Sequence, residues 1–124
     1  EEVAKEEVKE EAPEIVLHAQ IHAGIEIPAE VTVTIDLIKG KTIAYPRIES
    51  PDRIMSVCCS GVGKTLADAI RIAFVDLVLW LEEDYGFERW DAYTLCGQVA
   101  EVRLGNIWTV AVKFPKEYLK RNSE

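Results

Sequence analysis

The sequence lacks the long hydrophobic runs that mark membrane proteins and secreted precursors. No uncharged apolar stretch reaches the roughly 18 residues that a membrane-spanning helix needs, and the longest candidate, residues 70–81, contains Arg71 and Asp76. The first residues are glutamates, where a signal peptide would have its apolar core. We therefore expect a cytoplasmic protein without a membrane partner.

Cysteine is also scarce. The chain has Cys58, Cys59 and Cys96, an odd number with two of them adjacent and no Cys-x-x-Cys pair. This pattern excludes a disulfide scaffold, a zinc ribbon and a thioredoxin-type motif. We expect reduced thiols, and we interpret Cys58 and Cys59 as packing residues at the end of a strand rather than as nucleophiles.

An excess of positive charge is missing as well. The net charge is −8, from 14 basic and 22 acidic residues. Such a surface repels phosphate backbones and argues against a general nucleic-acid-binding protein. Six glutamates and two lysines within residues 1–12 supply half of the net charge. The acidity therefore indicates a lead-in helix or tail over 1–12 rather than an acidic site.

What remains is an ordinary globular composition. The chain has 124 residues, of which 48% are hydrophobic and 29% charged, which is enough to bury a core without staples. We predict one α+β domain over residues 13–119, followed by a tail over 120–124.

The apolar periodicity predicts strands first and helices afterwards. Strands are expected at 15–23, 31–37, 42–45 and 53–59, helices at 65–83 and 88–99, a turn at 103–106 and a last strand at 108–114. Residues 31–37 alternate strictly, and the Lys39-Gly40-Lys41 turn predicts a hairpin with 42–45. The order ββββααβ favours an α+β fold, with antiparallel sheet or hairpins, one long buried helix and a second, shorter helix.

The long helix carries two distinct signals. Thr65 and Asp68 have the spacing of a capping box. The helix is apolar nearly all round, so we expect its faces to be buried by the domain itself or by a partner.

The loop before this helix, Ser60-Gly61-Val62-Gly63-Lys64-Thr65, is similar to the end of a phosphate-binding loop. Cys58 occupies the position where that motif requires its first glycine. We therefore favour a plain strand-to-helix turn over a nucleotide site.

Two histidines offer the main candidate chemistry. His18 and His22 are four residues apart in a predicted strand, so they would lie on one face. With Glu26 or Asp36 they could hold a metal ion. The alternative is a pair of partly exposed strand histidines with local hydrogen bonds, and Asp36 is equally compatible with a solvated sheet face. The residues alone give no complete catalytic constellation.

Three segments carry a resemblance to a known family. They are AEVTVTIDLIKGKTIAYPRIESPDRIMSV at 29–57, DAYTLCGQVAEVRLGNI at 91–107 and TVAVKFPKEYL at 109–119. In order and spacing they resemble the C-terminal half of the acetamidase/formamidase family, over roughly residues 14–119.

This resemblance implies a hydrolase of carbon–nitrogen bonds in short linear amides, converting formamide or acetamide to a carboxylate and ammonia. It implies a cytoplasmic homo-oligomer that uses a divalent metal, zinc or calcium. His18 carries over by position, so we expect His18 and His22 as metal ligands and Glu26 as a catalytic acid or base.

The sequence also departs from the family pattern. The family has G-D-G-E acids after its H-A-x-Q segment, whereas here His18-Ala19-Gln20 continues directly to Ile21 and His22. A second short loop is missing after residue 107. We therefore keep an alternative, in which the chain is a catalytically inactive structural or assembly domain. It would pack a missing N-terminal domain or a second copy through helix 65–84.

Overall fold

The structure is a computed structural model that describes residues 14–19, 28–61, 63–106 and 108–122. The chain divides into two compact units, Glu1–Lys41 and Thr42–Glu124. The domain boundaries that we place at 13 and 119 stay a prediction, and the predicted lead-in over 1–12 lies outside the described residues.

The first unit contains an antiparallel pair, β1 (Glu14–Ala19) and β2 (Ala29–Thr34). Its register runs from Glu14 opposite Thr34 to Ala19 opposite Ala29. The predicted hairpin between 31–37 and 42–45 is wrong, because β2 pairs with β1 and residues 41–46 form no strand. Asp36 gives the local reason: its Oδ1 accepts a hydrogen bond from the Leu37 backbone N–H at 2.7 Å, a bond that competes with strand pairing.

The second unit is built on a four-stranded antiparallel sheet. Its strands are β3 (Arg47–Glu49), β4 (Arg53–Cys59), β5 (Glu101–Asn106) and β6 (Thr109–Pro115), in the spatial order β3-β4-β6-β5. The first two helices are α1 (Leu66–Tyr85) and α2 (Arg89–Val99), and a 3₁₀ helix spans Lys116–Asn122. The α+β class is confirmed, with the helices between the early and the late strands.

Two short strands were not predicted. Residues 47–49 and 101–106 look like a proline-flanked loop and a turn in the sequence, because Gly105 and Asn106 are turn residues. Both segments are strands in the structure, because β3 pairs with β4 and β5 pairs with β6. The turn residues of β5 coincide with an irregularity in its register between Leu104 and Asn106.

The core lies between one face of this sheet and α1. Strands β4 and β6 bury every second residue, as a half-buried sheet should. The sheet contributes Ile54, Cys58, Val110, Val112 and Phe114, and the helices contribute Ala69, Ala73, Leu77, Leu81, Ala92 and Cys96.

The ends of α1 follow local rules. The capping box between Thr65 and Asp68 is present, as predicted. Gly86 terminates the helix at φ +68°, a left-handed conformation that glycine adopts without a Cβ clash. Neither described α-helix combines the length and apolarity that crossing a bilayer demands.

Candidate functional site

A buried ion pair connects the second unit's sheet to α1. Asp76, only 4% exposed, accepts hydrogen bonds from Arg47 Nη2 at 3.0 Å and Arg47 Nε at 3.2 Å. Ser56 Oγ, from β4, donates to Asp76 Oδ2 at 2.7 Å. Because both carboxylate oxygens are engaged inside the protein, Asp76 acts as a structural anchor for β3 and β4 and not as an exposed base.

Further residues of α1 surround the Arg47–Asp76 pair. The Arg47 guanidinium lies 5.1 Å from the centre of the Trp80 ring, a cation–π contact. Its Nη1 is 3.7 Å from Glu83 Oε2, and Trp80 Nε1 donates to Asp84 Oδ2 at 2.9 Å. A cavity of about 240 Å³ lies beside the cluster, lined by Ala44, Tyr45, Arg71, Ile72, Val75, Asp76 and Leu79.

The loop that resembles a phosphate-binding motif already satisfies its helix end internally. Asp68 Oδ2 accepts from the Thr65 backbone N–H and from its hydroxyl, both at 2.8 Å, and Thr65 Oγ1 accepts from the Asp68 N–H at 3.2 Å. The backbone bond from Thr65 is the largest cause that lowers the pKa of Asp68. The Asp68 carboxylate thus occupies the helix N-terminus where a phosphate would bind, which favours the plain turn.

The cysteines divide into inert and accessible thiols. All three are free, as expected for reduced thiols. Burial raises the pKa of Cys96 to about 12 and is the largest cause that raises the pKa of Cys58. Because the thiolate is the reactive form, neither buried thiol is suited to nucleophilic catalysis. Cys59 is exposed.

A polar cleft of about 760 Å³ lies at the start of β4 and the end of β6. Arg53 Nη1 and Glu101 Oε2 are 2.6 Å apart, as are Lys116 Nζ and Glu49 Oε1. Glu101 is the largest cause that raises the pKa of Arg53. Asp52 Oδ2 is 3.3 Å from Arg53 Nε, so two carboxylates of the cleft lining, Asp52 and Glu101, share one guanidinium as their counter-charge.

An apolar groove of about 320 Å³ runs between α1 and α2. Trp90 and Tyr93 form its outer wall and are 70% and 64% exposed, in an edge-to-face pair with ring centres 6.1 Å apart. Phe74, Val75, Val78 and Leu79 line the α1 side, and Arg71 and Arg89 complete the lining. Exposed aromatic residues beside an apolar groove are typical of interaction surfaces.

The predicted site residues are only partly placed. His18 lies in β1, with Glu30 of β2 as its Cα partner in the ladder. His22 and Glu26 lie outside the described residues, so their assignment stays a prediction. Within the described ranges no group of three or more His, Cys, Asp or Glu side chains could hold a metal ion.

Sequence reasoning missed the Arg47–Asp76 pair and the groove. The pair joins residues 29 positions apart, and its only sequence signal is a lone acid in an apolar helix. The groove had a usable signal, since Trp90 and Tyr93 are three apart and share a helix face.

Comparison with known proteins gives solved structures that are similar to this chain. No family model and no curated protein matches the chain. The crystal structure of an acetamidase from Yersinia enterocolitica is 40% identical, with a TM-score of 0.72 over 80% of this chain. A predicted acetamidase/formamidase from Thermoanaerobacter tengcongensis has a TM-score of 0.69 over 79% of the chain. At 17% identity, this second structure supports the fold alone.

The α+β fold of the chain is therefore similar to part of two solved structures, and its sequence is similar to part of an acetamidase. The resemblance to the acetamidase/formamidase family that the sequence predicts is therefore confirmed, over about 80% of the chain. The chain spans only 30% and 33% of the lengths of the two solved proteins.

Proposed function

We propose that the chain is part of a hydrolase that cleaves short linear amides, such as formamide or acetamide, to a carboxylate and ammonia. One observation carries this proposal: the match to a protein named acetamidase at 40% identity over 80% of the chain. The free thiols fit a reducing, cytoplasmic location, which is part of the proposal.

The proposed site uses the first unit. His18 and His22 would be ligands of a divalent metal, zinc or calcium, and Glu26 would pass a proton to the departing ammonia. When bound, such a cation supplies an activated water and polarises a carbonyl oxygen. Glu30 is the Cα partner of His18 in the β1–β2 register. In this proposal its carboxylate would be a further oxygen ligand of the metal.

Ammonia release from formamide and acetamide tests the proposal. The assay is run on the 124-residue chain and on the product of its complete reading frame, with added zinc or calcium. We expect Glu26→Gln to lower turnover by about 10²-fold or more, and His18→Ala to lower the metal retained in elemental analysis. Glu117→Gln, which changes an exposed acid of the second unit, is the control. Turnover that is absent in both proteins would contradict the proposal.

A second candidate function, a structural or assembly domain, is favoured by the groove between α1 and α2. The core takes up one side of α1, yet Val75 on the groove side is 52% exposed. The occupant would be the remaining part of the protein or a second copy. We expect Trp90→Ala to weaken that assembly, measured as a lower mass by light scattering. An unchanged mass would eliminate a second copy as the occupant of the groove.

A further inference from the structure

The strand β5 forms one edge of the second unit's sheet. In the order β3-β4-β6-β5 its one strand partner among the described residues is β6. No described strand pairs with its other side, which therefore presents backbone N–H and C=O groups to a further strand. Such an edge is a template for another strand unless charge, proline or a covering element blocks it.

The apolar side chains of β5 extend the core beyond its helical cover. Val102 is opposite Val112 and Leu104 is opposite Val110, and both of these partners are fully buried. Val102 and Leu104 themselves remain 41% and 54% exposed. A strand added at this edge would bring new apolar neighbours beside them.

The charged side chains of β5 form a complementary pair on the opposite face of the sheet. Glu101 and Arg103 are two residues apart, so they share that face. Glu101 uses Oε2 to bind Arg53. Arg103 is exposed and has no ion-pair partner among the described residues.

Few two-fold registers suit two antiparallel copies of β5. Even-numbered residues of one copy must lie opposite even-numbered residues of the other, so that Val102 and Leu104 of both copies lie on the same face of the combined sheet. An axis at Arg103, or one at Glu101, would oppose like charges. An axis at Leu104 would set Arg103 against Gly105 and add no charge pair.

An axis at Val102 satisfies every requirement. It sets Val102 against the partner's Val102, Glu101 against the partner's Arg103, and Arg103 against the partner's Glu101. Opposite charges placed directly across an antiparallel pair stabilise it, and like charges destabilise it.

We propose that β5 is a homodimer interface, in which two copies of this chain pair β5 with β5 about a two-fold axis at Val102. The two four-stranded sheets then form one continuous sheet of eight strands. We assign a second copy as the partner of this edge because, in this register, Glu101 and Arg103 of one β5 strand lie opposite residues of opposite charge in the other. The inference stands apart from catalysis.

Sedimentation equilibrium of the 124-residue chain measures the dimer directly. Val102→Lys places two ammonium groups at the axis, and we expect the dissociation constant to rise by about tenfold or more. Ile48→Lys is the matched control, because Ile48 is 49% exposed on β3, the opposite edge strand of the same sheet. The control should dimerise like the wild type.

A charge-reversal mixture tests the register. Arg103→Glu gives a chain with two acids on β5, and Glu101→Arg gives a chain with two arginines. Each variant alone should dimerise about tenfold more weakly, because both cross-strand pairs become like-charged. Mixed in equal amounts, the two variants should form a heterodimer with restored affinity. Lys64→Glu, an exposed charge reversal away from β5, should have no effect.

Three outcomes would overturn the proposal. They are a wild-type chain that sediments as a monomer at every concentration, a Val102→Lys chain that dimerises as well as Ile48→Lys, and a charge-reversal mixture that associates no better than its components. Circular dichroism of each variant confirms that it is folded, and the mixture stays informative even if Val102→Lys unfolds.

Discussion

Asp76 shows how one polar residue can organise an apolar helix. It lies among buried neighbours on α1, yet both of its oxygens are engaged by Arg47 and Ser56. Burying an aspartate in an apolar helix costs free energy of folding unless its carboxylate is hydrogen-bonded and paired with an opposite charge. The pair therefore selects one position for residue 47, and with it one position for β3.

We predict that Asp76→Ala destabilises the protein by about 3–5 kcal/mol, because it leaves the Arg47 guanidinium buried without its counter-charge. Urea unfolding followed by circular dichroism measures the change. Glu117→Ala, at an exposed acid, should stay within about 0.5 kcal/mol of the wild type. Equal losses in the two variants would show that the buried pair does not anchor the fold.

Thiol reactivity should separate the three cysteines. Burial raises the pKa of Cys96 to about 12 and raises that of Cys58, so both remain protonated near pH 8. We expect a disulfide reagent to modify Cys59 rapidly in the native protein and all three thiols in urea. Cys59→Ser should abolish the rapid phase. Fast native labelling of that variant would contradict the assignment.

At the scale of elements, local signals predicted the helices and non-local pairing decided the strands. The start of α1 was predictable because Thr65 and Asp68 make their capping contacts within one turn. The partner of β2 was not, because the alternating pattern of residues 31–37 does not tell whether they pair with the segment before them or the segment after them. β3 and β5 were missed for the same reason.

For the candidate site, too, local sequence patterns give predictions and long-range contacts do not. His18 is predicted from its spacing to His22 and from the family resemblance, which are both properties of the sequence, and its role stays a prediction. The Arg47–Asp76 pair forms only when β3 and α1 pack together, and no local sequence pattern around residue 47 predicts it.

The N-terminal cap of α1 should give a pH-dependent contribution to stability. The pKa of Asp68 is lowered by its bonds to Thr65, so the cap stabilises the folded state above the unfolded pKa of about 3.9. That stability is lost as the pH falls through the lowered folded value. We expect Asp68→Asn to be less stable than the wild type at pH 7, and the difference to shrink below about pH 4. A difference that is constant across thermal melts at these pH values would contradict this.

At the scale of the whole molecule, the second unit has the parts of an independent domain. Among the residues whose burial the structure describes, every core residue lies between Ile54 and Phe114. The unit also has its own sheet and the helices α1 and α2. The chain as a whole corresponds to about a third of the solved acetamidase-type structures.

We predict that residues 42–124 expressed alone fold cooperatively, because this segment contains every core residue that the structure describes. A sigmoidal thermal melt and dispersed amide resonances would confirm it. The full 124-residue chain measured in parallel gives the reference midpoint. A non-cooperative melt of the shorter chain would show that residues 1–41 are required for folding.

The position of β6 has a consequence for synthesis in the cell. β6 is an inner strand, bonded on one side to β4 and on the other to β5, but it is the last of the three to be translated. Until it leaves the ribosome, β4 lacks its main partner and the apolar face of α1 lacks its sheet, an interval on the order of seconds. During that interval the nascent chain exposes the surface that chaperones recognise. A premature stop before residue 109 would leave a product in which β4 and β5 have no strand between them, a substrate for degradation rather than a shortened domain.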